Sequence, residues 1–498
     1  MQVTTTLDPH QKQGARFLVD RKRALLDFYT GSGKTLIIAL TSFFLLGKKQ
    51  LDNVLIVGTK SSMLSFESDF LEHTDYKPIF LDTRADLINF LTNQKGQIGV
   101  LKYGLVTDYC IDYSADKETQ TVIGKIDPQL LQLLKTSNTG VFFDEFHTLK
   151  NPDADVTKWY KQLMPLFKRV YGLTATPYTK DLYDIFYLIN LLIPKFFPTK
   201  KSFTEQFVNV DYKEIFVNNF PKIIPVIVSY KNVELLDDLL KDIRMFYEPN
   251  LDLTYTTHFE NLADSAAYTE IARSAYTLAT KKTPDKKKGS TFMSKLVDLQ
   301  TQVDTDIAKH ALLKTSILPY VEEYGVIIYC DYELAVEQVK LVVSTLPSNP
   351  DIYVIDGSSS LKKRKTIKNT FTDNPKNKIV IITRAGGQSL NLQATNRIFF
   401  YNTPFDPGSF IQASGRIVRQ YSKHTEFYVH FLLMQDTIDD YKYQRLMSQM
   451  SIVKKSRGLT VLDITMPSFN QEMLQRLRNK FLWNPTIGKK VYKKTPLS

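Results

Sequence analysis

The hexapeptide Thr30-Gly31-Ser32-Gly33-Lys34-Thr35 constrains this chain more than any other stretch. It follows the apolar run 23–29 and precedes Leu36-Ile37-Ile38-Ala39-Leu40, so a short buried strand runs into a glycine-rich turn that opens a helix. Such a turn aims backbone N–H groups and a helix N-terminus at one point, where phosphate oxygens can sit. In that reading Gly31, Ser32 and Gly33 shape the cradle, Lys34 reaches the β- and γ-phosphates, and the Thr35 hydroxyl ligates Mg²⁺. Phe28 stands where the usual pattern has a further glycine, so the match is to the Gly-Ser-Gly-Lys-Thr core alone. Taken by itself the stretch fits either a nucleotide site or an ordinary strand–helix turn. The decision rests on partners further along.

A 498-residue chain has room for about three domains, or two large ones. Its 43% hydrophobic and 23% charged residues are those of a globular protein. The formal net charge of +12 favours a polyanionic partner, most simply nucleic acid, over a general solubility charge. Cys110 and Cys330 are the two cysteines, far apart and without Cys/His spacing, so neither a zinc site nor a disulfide framework is expected. A reducing, cytoplasmic compartment follows (the host's, for a viral protein). The first residues lack the charged-then-apolar order of a secretory signal, and no apolar stretch reaches membrane-spanning length.

Ahead of the hexapeptide, Asp8 and Pro9 start a helix, with Gln11 one turn inside. An amide both donates and accepts, so Gln11 can read adenine; an exposed helical glutamine is the ordinary alternative. Beyond it, strands are predicted at 54–57, 98–101, 141–143 and 169–173, separated by helical stretches. Apolar strands alternating with helices imply a parallel sheet covered on both faces, whose ligands bind beyond the carboxyl ends of the strands. Thr59-Lys60, Tyr103, Asp144-Glu145-Phe146-His147 and Thr174-Ala175-Thr176-Pro177 all fall at such ends. Asp144 can hold Mg²⁺, and Glu145 can orient and deprotonate an attacking water, which gives the phosphate loop its hydrolytic partner.

From Pro194 to Tyr324 the pattern is mainly helical, with a basic run at 281–288 that reads as a solvated loop or a phosphate contact. A second α/β unit follows, with strands at 326–330, 352–355, 378–382 and 397–401 but no phosphate loop of its own. Its contribution is Gln412 to Gln420, where Arg416 and Arg419 stand one helical turn apart and can reach a γ-phosphate held by the first unit. These readings divide the chain into 1–230, a helical region 231–315, a second lobe 316–450 and a basic tail 451–498.

The ordered set Gly31-Ser-Gly-Lys-Thr35, Asp144-Glu-Phe-His147, Thr174-Ala-Thr-Pro177 and Gln412-x-x-Gly-Arg-x-x-Arg419 resembles the successive motifs of superfamily-two helicase-like ATPases. Its finer detail is similar to the Swi/Snf branch of double-stranded DNA translocases. That detail includes Lys150-Asn151, Leu188 to Pro194, Asp356 to Ser360, Arg384 to Leu392 and Tyr401 to Gln420. The resemblance spans the chain to about residue 440.

It implies two RecA-like parallel-sheet lobes with helical insertions, ATP and Mg²⁺ in the cleft, and duplex DNA, branched or not, across both lobes. By motif position, Gln11 contacts adenine. His147, Thr174, Thr176 and Gln412 couple hydrolysis to lobe movement, and Arg416 and Arg419 are the arginine finger and its companion. Thr59, Lys60, Tyr103, Ser358 and Thr383 fall where the family grips the DNA backbone. The chain departs from the branch at Phe146, where alanine is usual, at Gly415, where aspartate is usual, and at Gln420-Tyr421-Ser422. Its length is that of a compact member of the kind carried by viruses or bacteria. Two rival readings are a strand-separating or branch-migrating helicase, and an ATPase acting through RNA polymerase or the replication machinery.

Overall fold

The computed structural model describes residues 2–115, 122–177, 181–217, 220–249, 251–280, 288–384, 386, 392–418 and 422–455. In chain order it begins with β1 (Arg23–Phe28), β2 (Asn53–Gly58), β3 (Ile79–Leu81) and β4 (Gln97–Lys102). A hairpin of β5 (Ile111–Ala115) and β6 (Val122–Ile126) follows, then β7 (Thr139–Asp144) and β8 (Arg169–Thr174). A longer hairpin, β9 (Val208–Val217) with β10 (Phe220–Tyr230), precedes β11 (Arg244–Tyr247). Outside the hairpins these strands make a seven-stranded parallel sheet in the order β11-β1-β8-β7-β2-β4-β3.

The remaining strands are β12 (Asp252–Glu260), β13 (Val326–Cys330), β14 (Asp351–Ile355), β15 (Lys378–Thr383), β16 (Arg397–Phe400) and β17 (Glu426–Met434). They form a six-stranded parallel sheet in the order β12-β17-β16-β13-β15-β14. The expected α/β architecture of two RecA-like parallel-sheet lobes is present.

The alternation of side chains along each strand explains why both faces are covered. On β2, Leu55 and Val57 join one apolar cluster while Val54 and Ile56 join another on the opposite face; on β7, Val141 and Phe143 oppose Phe142 in the same way. The second sheet repeats this, with Ile327 and Tyr329 on one side and Val326, Ile328 and Cys330 on the other. One cluster is continuous across both lobes, joining Leu25 and Tyr29 to Phe410, Ile411 and Val418.

The lobe boundary differs from the expected one. The stretch 231–315 is not a separate helical unit: β11, ending at Tyr247, completes the first sheet, and β12, starting at Asp252, begins the second. An ion pair holds β11 at its edge position. The Arg244 guanidinium, 8% exposed, donates to Asp27 Oδ2 from Nη2 (2.7 Å) and Nε (3.1 Å), and to Asp237 Oδ1 from Nη1 (3.2 Å).

Charge is also buried under the second lobe. Lys309 Nζ donates to Asp304 Oδ1 (3.0 Å) and Asp439 Oδ2 (2.5 Å), and Asn402 Nδ2 donates to the same Asp304 oxygen (2.8 Å). This network ties the helices Lys288–Asp304, Ile307–Tyr324 and Ile438–Lys455 to the loop that follows β16. Removing one partner of such a buried set costs about 3–5 kcal/mol, because the other charge is left uncompensated. The basic segments at 281–287 and 456–498 lie outside the described residues.

Candidate active site

The phosphate loop links β1 to the helix Lys34–Gly47. Gly31 and Gly33 both have φ of +77°, and Gly33 caps the helix in the left-handed conformation, which a side chain would strain. In this geometry Lys34 Nζ donates to the carbonyls of Phe28 (3.0 Å) and Tyr29 (3.2 Å). Ser32 Oγ donates to the Tyr29 carbonyl (2.8 Å), so that hydroxyl shapes the loop. Thr35 is the second residue of the helix, on the same turn.

Gln11 lies against the loop, 3% exposed. Its Oε1 accepts the Asp8 N–H (3.0 Å) and its Nε2 donates to the Ser32 carbonyl (3.4 Å). The amide expected to read adenine is therefore committed to capping its own helix and bracing the loop. His10, which the motif reading passed over, contacts the same Ser32 carbonyl through Nε2 (2.9 Å) and stacks on Tyr247, with ring centroids 3.9 Å apart.

Asp144 and Glu145 stand at the carboxyl end of β7, two strands from the phosphate loop in the sheet order. Burial and the neighbouring Glu145 push the Asp144 carboxyl up to about 7, against the opposing pull of Lys34 and a hydrogen bond from Ser62. Glu145 has φ of +50°, a strained conformation for a residue with a side chain. Its Oε2 lies 3.4 Å from His147 Nδ1, which is 2.9 Å from Thr174 Oγ1 and 3.4 Å from Thr176 Oγ1. Burial, with Lys150 adding to it, lowers the His147 imidazole to about 4, so it is neutral at pH 7. The structure thus brings Glu145, His147, Thr174 and Thr176 into one cluster. Phe146, one of the departures, is fully buried over Gly172 of β8.

The second lobe meets this site through the helix Pro407–Ser414 and the turn after it. Gly415 sits so close to the phosphate loop that a Cβ there would lie 2.1 Å from Thr30 Oγ1 and 2.8 Å from Thr30 Cβ. The next residue, Arg416, is 5% exposed, and Gln412 is half-buried on the helix. Arg419 lies outside the described residues. Asp406 caps this helix by accepting the Ser409 N–H (2.9 Å), and Arg384 Nη2 approaches it at 3.5 Å. The same Asp406 is close enough to His147 to oppose the fall in its pKa.

The five positions expected to grip DNA are not alike. Tyr103 is a correction: it is 6% exposed, and its hydroxyl donates to the Asp144 carbonyl (2.9 Å), so it supports the acidic strand end from within the core. It follows β4 as expected, but position along the chain does not show which way a ring turns. Thr59 caps the helix Lys60–His73, its Oγ1 accepting the Ser62 N–H (3.2 Å), and Ser62 in turn serves Asp144. Lys60 is the first residue of that helix. Ser358 and Thr383 both line a groove of about 1250 Å³ on the second lobe, together with Lys362, Lys363 and Arg384.

A phosphate loop and acidic strand end on one parallel-sheet lobe, abutted by a second such lobe, define a two-lobed P-loop nucleotide hydrolase. Residues 10–306 match the SNF2-related domain, and residues 309–421 match the helicase conserved C-terminal domain. The first match alone covers more than half of the sequence: the chain belongs to the SNF2-related family and is a helicase-like ATP hydrolase. It is similar to the DNA repair and recombination protein RAD54-like of Drosophila persimilis, 22% identical over 97% of this chain and 67% of that one. The DNA repair and recombination protein RAD54 of Oryza sativa is 32% identical over 20% of this chain, which spans 10% of it. An uncharacterized ATP-dependent helicase of Mycoplasma pneumoniae is 22% identical over 91% of this chain and 42% of its own length. Among solved structures, the Sulfolobus solfataricus SWI2/SNF2 ATPase core in complex with dsDNA aligns over 92% of this chain and 94% of that one, with a TM-score of 0.39 at 18% identity.

Proposed function

We propose that this chain is an ATP-driven translocase on double-stranded DNA. The observation that carries the reading is the seating of Gly415 on Thr30, which brings the second lobe's arginine-bearing turn against the phosphate loop. A groove on that same lobe carries Ser358, Thr383, Lys362, Lys363 and Arg384, with Asp331, Glu333, Glu337 and Asp356 also on its wall. Nucleotide turnover that opens and closes this contact shifts one lobe against the other, and a backbone held by both is moved along. Contacts to phosphates, not base edges, make such movement sequence-tolerant and salt-sensitive.

In this reading Lys34 binds the β- and γ-phosphates, Glu145 accepts the proton of the attacking water, and Arg416 with Arg419 neutralises charge developing on the γ-phosphate. His147, Thr174, Thr176 and Gln412 relay the state of that site to the other lobe. Thr35 and Asp144 would hold Mg²⁺, which neutralises phosphate charge when bound. A buried carboxyl raised to about 7 beside a lysine is a donor that a cation would bring back to its ionised form.

The runner-up is a strand-separating helicase. It draws on the β9–β10 hairpin, which pairs with no other strand among the described residues and exposes Tyr212 and Ile223. Displacement of a triplex-forming strand ahead of the enzyme, with a forked duplex left intact, is the expected result. Unwinding of the fork without triplex displacement would favour the hairpin-based reading. Duplex DNA is the proposed partner. A complex with RNA polymerase or the replication machinery is the third reading, and co-purification that survives nuclease treatment would support it. A reducing, cytoplasmic setting suits the buried thiols of Cys110 and Cys330, both pushed above their usual range by burial.

A further inference from the structure

Arg364 lies on the helix Leu361–Asp373, and it is only 8% exposed although its sequence neighbours are lysines. Its guanidinium makes no ion pair among those described; instead it donates to three backbone carbonyls. Nε reaches the Ser359 carbonyl (3.0 Å), Nη2 that of Asp356 (2.8 Å) and Nη1 that of Gly386 (3.1 Å). The first two belong to the loop after β14 and the third to the loop after β15, so one planar fork joins two loops at the carboxyl end of the sheet.

The seam between these loops is tight from the other side too. A Cβ at Gly386 would lie 2.0 Å from the Ile355 carbonyl oxygen and 2.4 Å from Asp356 Cα. Gly386 N–H donates to Thr383 Oγ1 (3.1 Å), while Ser358 donates to Asp356 Oδ1 from both N (3.0 Å) and Oγ (2.7 Å). Arg364 therefore sets the spacing between the segments that carry Ser358 and Thr383, both on the wall of the groove.

We propose that Arg364 is a positioning residue for polyanion binding, holding Ser358 and Thr383 at the separation a nucleic-acid backbone needs. The proposal rests on the DNA reading above and adds a residue to it. A lysine at 364 keeps the charge but cannot serve three carbonyls in a plane, so Arg364→Lys discriminates geometry from charge. The test is ATPase activity titrated with duplex DNA and, separately, with ATP. Arg364→Lys should raise the half-saturating duplex concentration about tenfold, with the half-saturating ATP concentration unmoved. A purely structural role would shift both together or lower only the turnover number.

Thermal melting checks that the variant folds. Gly386→Ala attacks the same seam independently and should give the same split if Arg364→Lys does not fold. An unchanged duplex titration in folded Arg364→Lys, beside a wild type that responds to duplex, overturns the proposal and leaves the DNA reading standing. A wild type indifferent to duplex overturns both.

Discussion

Lys34→Ala is expected to lower ATP hydrolysis about a hundredfold to a thousandfold, as loss of one preorganised transition-state donor does. The lysine stands on the first turn of its helix and is held over the loop by the Phe28 and Tyr29 carbonyls. It is also among the groups that pull the Asp144 carboxyl back toward its ionised form. Its removal strips charge from the phosphate cradle and leaves Asp144 further shifted toward its neutral state. Phosphate release under saturating ATP measures the effect. Glu145→Gln is the companion: it should bind ATP and stall, because the cradle is intact and the base is gone. Robust turnover in Glu145→Gln would remove Glu145 from the mechanism, and robust turnover in Lys34→Ala would remove the phosphate loop.

Gly415→Ala is expected to lower turnover about a hundredfold, the size of effect that a displacement of roughly 1 Å has on a positioned catalytic group. Gly415 has an ordinary helical φ of −62°, so its backbone does not require glycine; the space does. The new Cβ would meet Thr30 Oγ1 at 2.1 Å, and Thr30 is β-branched and anchored in the phosphate loop, with little freedom to turn aside. The turn carrying Arg416 must then back away. Thr30→Gly in the same chain removes the clash with Thr30 but not the 2.8 Å approach to the Ile411 carbonyl oxygen, so it should restore part of the loss, and that partial rescue separates a cleft effect from general destabilisation. Wild-type turnover in Gly415→Ala would mean that the contact between the lobes is not part of the working state.

These residues also show what the sequence could and could not convey. The strands expected at 54–57, 141–143, 169–173, 326–330 and 378–382 are present with small shifts at their ends, because uninterrupted apolar runs bounded by polar turns signal strands buried on both faces. The motif residues at their carboxyl ends lie near one another for the same reason. Edge strand β11 was not legible: its short apolar run Met245-Phe246-Tyr247 closely follows the helical pattern of 233–240, and the strand is tied in place by an ion pair from Arg244 to Asp27, 217 residues away. The β9–β10 hairpin and β12 lie within the region 194–324 that looked helical, and the β5–β6 hairpin lies in the stretch between two predicted strands that was expected to be helical. Burial at motif positions was hidden as well, so Tyr103 and Gln11 turned inward where contact with ligand was expected. The glycine at 415 looked like a family variation. Only its distance from Thr30 shows what it is for.

The central claim is that ATP held between these lobes is hydrolysed in response to a duplex lying across them. ATPase rates with no nucleic acid, duplex DNA, single-stranded DNA and RNA test it most directly. Duplex should stimulate hydrolysis on the order of tenfold, a coupling of ordinary size, lost as salt rises, with little response to single strands or RNA. Equal rates in all four conditions, or stimulation by single strands alone, would contradict it.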